Sequence, residues 1–237
     1  MGTRGLLGWK VNGEYHGAYN HWDSYPEGLG MEIAQWVFEK LGMEENRERF
    51  KENLQKLIFI DSTKPASLEL QEKYKKFSDV SVSTQKLEEW YCLLRNIQGA
   101  GYLEAILSGE LEHIEDRISF IKDSLFCEYA YILNLDENVF EFYVGFQEKP
   151  IENDPFKDIQ NKISIEEKEK EKEKEKEKEK DERKPFVSEY YSCALTWKCP
   201  LQESLHTMIN YIEKEKVEVE IQELEAESKP KRKLMVD

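Results

Sequence analysis

The chain has 237 residues, with 34 Lys and Arg against 49 Asp and Glu, a formal net charge of −15. Its densest charged stretch, Glu166 to Lys184, is ionic at all 19 positions, yet the remainder still carries 25 basic and 39 acidic groups, so the acidity belongs to the whole chain. Such a surface repels phosphate and argues against general nucleic-acid binding, and no apolar run approaches the roughly 18 residues of a membrane span.

The N-terminus has no apolar core of signal-peptide length. Leu6 stands where a myristoylation signal takes Ser or Thr. A cytoplasmic protein is expected, or a nuclear one through the basic block Lys229–Lys233. Cys92, Cys127, Cys193 and Cys199 include no C-x-x-C pair, which argues against a structural zinc. Cys92 and Cys127 sit in apolar settings and read as buried, reduced thiols. Nothing in the pattern calls for a metal or a cofactor.

The first element is a hairpin. Asn12-Gly13 favours a type I′ turn, in which both central residues take positive φ. That turn sets a register in which Val11 faces Glu14, Trp9 faces His16, Leu7 faces Ala18 and Gly5 faces Asn20. Faces alternate along each strand. One face then carries Thr3, Leu7, Trp9, Val11, His16, Asn20 and Trp22, and the other carries Arg4, Leu6, Lys10, Tyr15, Tyr19, His21 and Asp23.

A helix follows, with Ser24-Tyr25-Pro26-Glu27 as a capping box, Leu29, Ile33, Trp36, Val37 and Leu41 inward, and Gly42 as its stop. Gly28 and Gly30 each cost about 1 kcal/mol in a helix and imply close packing on its first turn. Phe50, Leu54, Leu57 and Ile58 mark a second helix. Pro65 opens a third, with Leu70, Tyr74 and Phe77 inward. Thr84 caps a fourth, with Leu87, Trp90, Tyr91, Leu94 and Ile97 inward and Gly99 at its end. Tyr102 to Leu107 is a short helix before Gly109. Leu111 to Ile121 fits a helix, and Ile118 to Ile121 fits a strand equally. Phe126–Leu135 and Val139–Phe146, joined by Asp136-Glu137-Asn138, form a second hairpin.

After Pro150 the composition shifts. Residues 151–185 read as a linker with the Glu-Lys run, which has no apolar residue to offset ordering entropy and is expected to be disordered. Tyr190 to Trp197 reads as a strand. Leu201, Leu205, Met208, Ile209 and Ile212 form a helical stripe. The expected layout is an α+β domain over 1–150, the linker, a strand and helix over 186–212 returning to the domain, and a charged tail over 213–237. The fold class is an antiparallel sheet built from the hairpins at 4–22 and 126–146 and covered by four to six helices.

The richest polar cluster is Tyr19 to Gly30. A strand passes there into a helix, whose free amides and positive dipole end favour anions. A small anionic ligand held by Arg4, His21, Asp23, Gly28 and Gly30 is one reading, and a protein partner at the same junction is its companion. Capping by Asp23 and Ser24, with the glycines serving packing, explains part of the set without a ligand. His16 and His21 point to opposite hairpin faces, so they do not share a metal. His113 reads as exposed among carboxylates, and His206 lies on the polar side of the last helix.

Several runs carry a resemblance: M-G-T-R-G-L-x-G, Y-N-H-W-D-S-Y-P-E-G-L-G, W-Y-C-L-L-R-N-I-Q-G and L-F-C-E-Y-A-Y-I-L-N-L-D. Over residues 1 to 150 they resemble an uncharacterised, mostly fungal family of hypothetical proteins with some viral relatives, which implies no activity. A fainter likeness is to N-terminal-nucleophile hydrolases, whose first strand begins with the nucleophile. It implies Thr3 as nucleophile, with Asn20 on the same face, after loss of Met1 and Gly2. The chain departs from the glutamine amidotransferases of that class, which need Cys directly after Met1 where this chain has Gly2. Three readings therefore stand: a binding domain centred on residues 20–30, an amide hydrolase using Thr3 and Asn20, and an acidic scaffold for basic partners.

Overall fold

A computed structural model describes residues 2–159 and 190–228. Met1, the Glu-Lys run and the basic block Lys229–Lys233 lie outside the described residues.

β1 (Gly5–Val11) and β2 (Glu14–Asn20) form the first hairpin, with Val11 opposite Glu14 and Gly5 opposite Asn20. Asn12 and Gly13 both take positive φ, at 53° and 81°, as the type I′ turn demands. The second hairpin is β5 (Tyr129–Asn134) with β6 (Val139–Val144), and β7 (Ala194–Pro200) pairs with β6.

The five strands lie in the order β2-β1-β5-β6-β7, and β1 runs parallel to β5. The sheet is therefore mixed, which corrects the purely antiparallel expectation. Turn chemistry decides pairing within a hairpin but not between hairpins. Here β5 begins beside Gly5, at the end of the sheet where β2 stops, so the two hairpins meet with their first strands side by side.

The chain between the hairpins supplies most of the cover. A helical run passes from a wide turn at Pro26–Gly30 through α1 (Met31–Trp36) to a second wide turn at Val37–Leu41. It is followed by α2 (Glu44–Gln55), a short strand β3 (Ile58–Phe59), α3 (Leu68–Tyr74), α4 (Trp90–Leu93) and α5 (Gly101–Leu107). β4 (His113–Ile114) pairs in parallel with β3. α6 (Ser204–Ser228) closes the described fold. Leu7, Trp9, Tyr131, Leu133, Phe140 and Phe142 face these helices in the larger core. Leu6, Ala130, Ile132 and Tyr143 face the other way, under the turn Ile118–Lys122 and Phe156.

Four local differences from the sequence reading have physical causes. Thr84 does not cap a long helix: Ser83 and Gln85 take φ near 51° and 59°, and the Ser83 and Thr84 hydroxyls both donate to Glu89, leaving only the turn of α4. Ile58 leaves its helix to join β3, whose partner β4 lies inside the stretch 111–121 that had fitted a helix, while Ile118–Ile121, which had fitted a strand equally, forms a tight 3-10 turn. Gly42 is not a left-handed stop. It keeps φ −56°, and the Arg47 guanidinium caps the carbonyls of Leu41 and Gly42 at 2.8 and 2.9 Å. Phe156, inside the stretch read as linker, is fully buried against Tyr15 and Tyr143.

Candidate functional site

At the end of β2 the chain turns sharply into the helical run, and buried side chains hold that turn. Asn20, 7% exposed, donates through Nδ2 to the Trp22 carbonyl and, at 2.8 Å, to Ser24 Oγ. Ser24 is fully buried, its amide donates to the Thr3 carbonyl at 3.2 Å, and its own carbonyl accepts from the Tyr131 hydroxyl at 2.8 Å. Its hydroxyl therefore looks inward to Asn20 rather than capping the helix.

Asp23 bends the backbone with φ 51°, and its carbonyl accepts from the Leu29 amide at 2.9 Å. A Cβ at Gly28 would lie 2.5 Å from that carbonyl, and one at Gly30 would lie 2.9 Å from the Tyr131 hydroxyl. Both glycines thus permit close approach. The amides of Gly28 and Gly30 donate to the Tyr25 carbonyl at 3.0 and 3.3 Å, so they are spent inside the turn rather than presented as an anion cradle.

Beside this turn opens a cleft of about 330 Å³, lined by Asn20, Trp22, Asp23, Leu29, Glu32, Asp79, Arg95, Asn96, Gln98 and Gly99. Gly99, at φ 74°, leaves room for Asn20: a Cβ there would stand 3.2 Å from Asn20 Oδ1. Arg95 lies over the Tyr91 ring at 5.4 Å and donates to the Gln98 side chain. Asn96 donates to the Ser78 carbonyl at 2.7 Å. Hydrogen bonds from Ser81 hold the Asp79 carboxyl below the usual carboxylate range. Trp22 is 49% exposed, unlike Trp9 and Trp90, which are buried in the core.

Of the residues singled out from sequence, Asn20 and Asp23 line this cleft and Gly28 and Gly30 shape its turn; Thr3, Arg4 and His21 are not in its lining. While Asp23 reaches the cleft through the positive-φ bend of its backbone, period-two alternation accounts for Arg4 and His21, because the register that opposes them puts both on the face away from Asn20. There the Arg4 guanidinium lies 5.2 Å over the Phe126 ring, and the Tyr19 hydroxyl lies 2.8 Å from His21 Nδ1. Burial, then the charges of Arg95 and Arg4, hold the His21 pKa below its ordinary 6.5. Thr3 is half-buried just before β1.

Glu32, Asp79, Arg95, Asn96, Gln98 and Gly99 were not found from sequence. Four of the six lie in the segment read as a helix from Thr84 to Gly99, and that reading hid their convergence on Asn20. The signal that existed was Gly99 itself, a glycine with positive φ next to polar Asn96 and Gln98.

All four cysteines are free and buried. Among the described residues no three His, Cys, Asp or Glu side chains converge as metal ligands, and no helix is long and apolar enough to cross a membrane. His113 is half-buried, its Nδ1 hydrogen-bonded with the Tyr74 hydroxyl at 2.8 Å, rather than exposed. No protein-family model, curated protein or solved structure matches the chain at a significant level.

Proposed function

We propose that the chain is a binding domain whose site is the cleft at the strand-to-helix junction, residues 20–30, completed by the Asp79 and Arg95–Gly99 segments. The observation that carries this reading is Asn20. Its amide orientation is fixed, because the Trp22 carbonyl can only accept and so must face Nδ2. Oδ1 then points away from that bond, and no described residue donates to it. Among the described residues the sealed, unpaired side-chain atoms are the indole nitrogens of Trp9 and Trp197, and Asn20 Oδ1 is not one of them. It opens onto the cleft. A buried acceptor left without a protein donor at the floor of a cavity of ligand size is the mark of a site completed by something else.

The test is a chemically mixed fragment library screened by amide NMR on the full chain. Fragments that shift the Asn20, Trp22 and Gly99 signals together support the reading, and fragments that cluster elsewhere overturn it. Thr3 stands outside the lining, so the cleft lends the hydrolase reading no support. Intact-protein mass tests that reading separately, since retained Gly2 removes it.

A further inference from the structure

Resting on that reading, we infer that the cleft takes a small molecule bearing a protonated amine, with a carboxylate elsewhere on the same molecule as its best complement. The sequence had suggested an anion, but the lining is the reverse of an anion site. Three carboxylates, Asp23, Glu32 and Asp79, face one guanidinium, Arg95. Neither the Asp23 nor the Glu32 carboxylate has a hydrogen bond or ion pair to any described residue.

Asn20 Oδ1, from a side chain more than nine-tenths buried, adds an acceptor that itself wants a donor. The unsatisfied capacity at this site is therefore mainly accepting capacity, and the group that meets several acceptors at once is an ammonium with its three N–H donors. Trp22, half exposed, lines the same cleft, and a ring face attracts a cation through its negative quadrupole. Arg95, oriented by its stack on Tyr91 and its bond to Gln98, is the one cationic group in the lining that could hold a carboxylate. The overall charge of −15 draws cations toward the surface and repels anions.

The experiment is amide NMR titration of the full chain with four probes matched in reach: L-lysine, cadaverine, glutarate and glucose. L-lysine and cadaverine are expected to shift Asn20, Trp22 and Gly99, with L-lysine the tighter, while glutarate and glucose leave them in place. The variants D23N and E32Q keep the fold, since Asn accepts the positive φ at position 23 and Glu32 is exposed. Together they are expected to weaken cadaverine about tenfold or more. Glutarate or glucose shifting these signals while the amines do not overturns the amine assignment and leaves the cleft standing as a site. Amine shifts that survive D23N and E32Q unchanged overturn the assignment as well. Failure of all four probes, with library fragments still binding at the cleft, overturns the amine assignment alone. Fragments and probes that all bind elsewhere overturn the site.

Discussion

Ser24 occupies the space that a side chain at residue 5 would need: a Cβ on Gly5 would lie 2.6 Å from Ser24 Cβ and 2.5 Å from the Tyr129 carbonyl. The first strand can therefore carry only glycine where the turn into the helical run crosses it. Gly5→Ala is expected to destabilise the fold by about 1–3 kcal/mol through overpacking against backbone. Gly13→Ala supplies the contrast. Nothing lies within 4 Å of its Cβ position, so only the positive φ opposes it, at about 1–2 kcal/mol. Urea denaturation of both variants checks the two costs.

The Asn20 amide ties the end of β2 to the turn. Asn20→Ala leaves the Trp22 carbonyl and Ser24 hydroxyl without their donor, at an expected cost of about 1–3 kcal/mol, whereas Ser24→Ala removes one bond at about 1 kcal/mol. Chemical denaturation curves should show Asn20→Ala as the weaker protein.

On the opposite face of the sheet, Glu141 is 4% exposed and is satisfied by Asn134 at 2.8 Å and by the Tyr143 hydroxyl at 2.7 Å. Burial, then Glu141 itself, drives the Tyr143 pKa upward, so the hydroxyl stays a donor. Tyr143→Phe deprives a buried carboxylate of that donor and should cost about 1–3 kcal/mol. Adding Glu141→Gln in the same chain should cost less than the sum of the two single changes, a coupling that a double-mutant cycle measures.

Two histidines set a pH dependence. His21 faces Tyr19, Tyr91, Arg4 and Arg95; His113 faces Tyr74, Trp90, Lys73 and Glu112. Burial, then Arg95 and Arg4, lowers the pKa of His21, and burial, then Lys73, lowers that of His113, both from 6.5. The unfolded chain therefore takes up these protons at a higher pH than the folded one. The contribution to stability is whole above the unfolded value of 6.5 and declines as pH falls from there to the folded values. Urea midpoints should drop over that interval, and replacing both histidines with Asn should flatten the slope.

α6 is 25 residues long, roughly 37 Å at 1.5 Å per residue, yet Ile212 is its last buried side chain among those described. Ending the chain after Lys216 should leave the thermal midpoint unchanged while removing helical signal from the circular dichroism spectrum. A lowered midpoint would mean that the far part of the helix makes contacts that hold the domain.

Local chemistry was legible where it is decisive. Asn12-Gly13 determined the register of the first hairpin, though its pairing runs over 5–20 rather than 4–22, and the β-branched and aromatic runs around Asp136 marked the second. The parallel contact of β1 with β5 left no trace in either strand, because buried inner strands read alike whichever way their neighbour runs. The stripe Leu87, Trp90, Leu94 and Ile97 does reach the core, but a winding loop, the single turn of α4 and a 3-10 turn deliver it instead of one long helix. Hydrophobic spacing reports which residues are buried and not which backbone buries them. The cleft stayed hidden for the same reason: Asn20 and Asp23 were visible as a polar junction, while Asp79, Arg95 and Gln98 join them only through that loop.

The position of β1 inside the sheet bears on biosynthesis. Just before β1, the Arg4 amide donates to the Glu128 carboxylate, 124 positions further along. At translation rates of roughly 5–20 residues per second, the opening ribbon waits on the order of ten seconds for that neighbour to leave the ribosome. Throughout that interval one long edge, GLLGWKV, stands with unpaired amides and apolar side chains. The nascent ribbon is thus the stage at which this chain most needs a chaperone or slow, dilute synthesis, and expression yield should respond to those conditions more than to the stability of the finished fold.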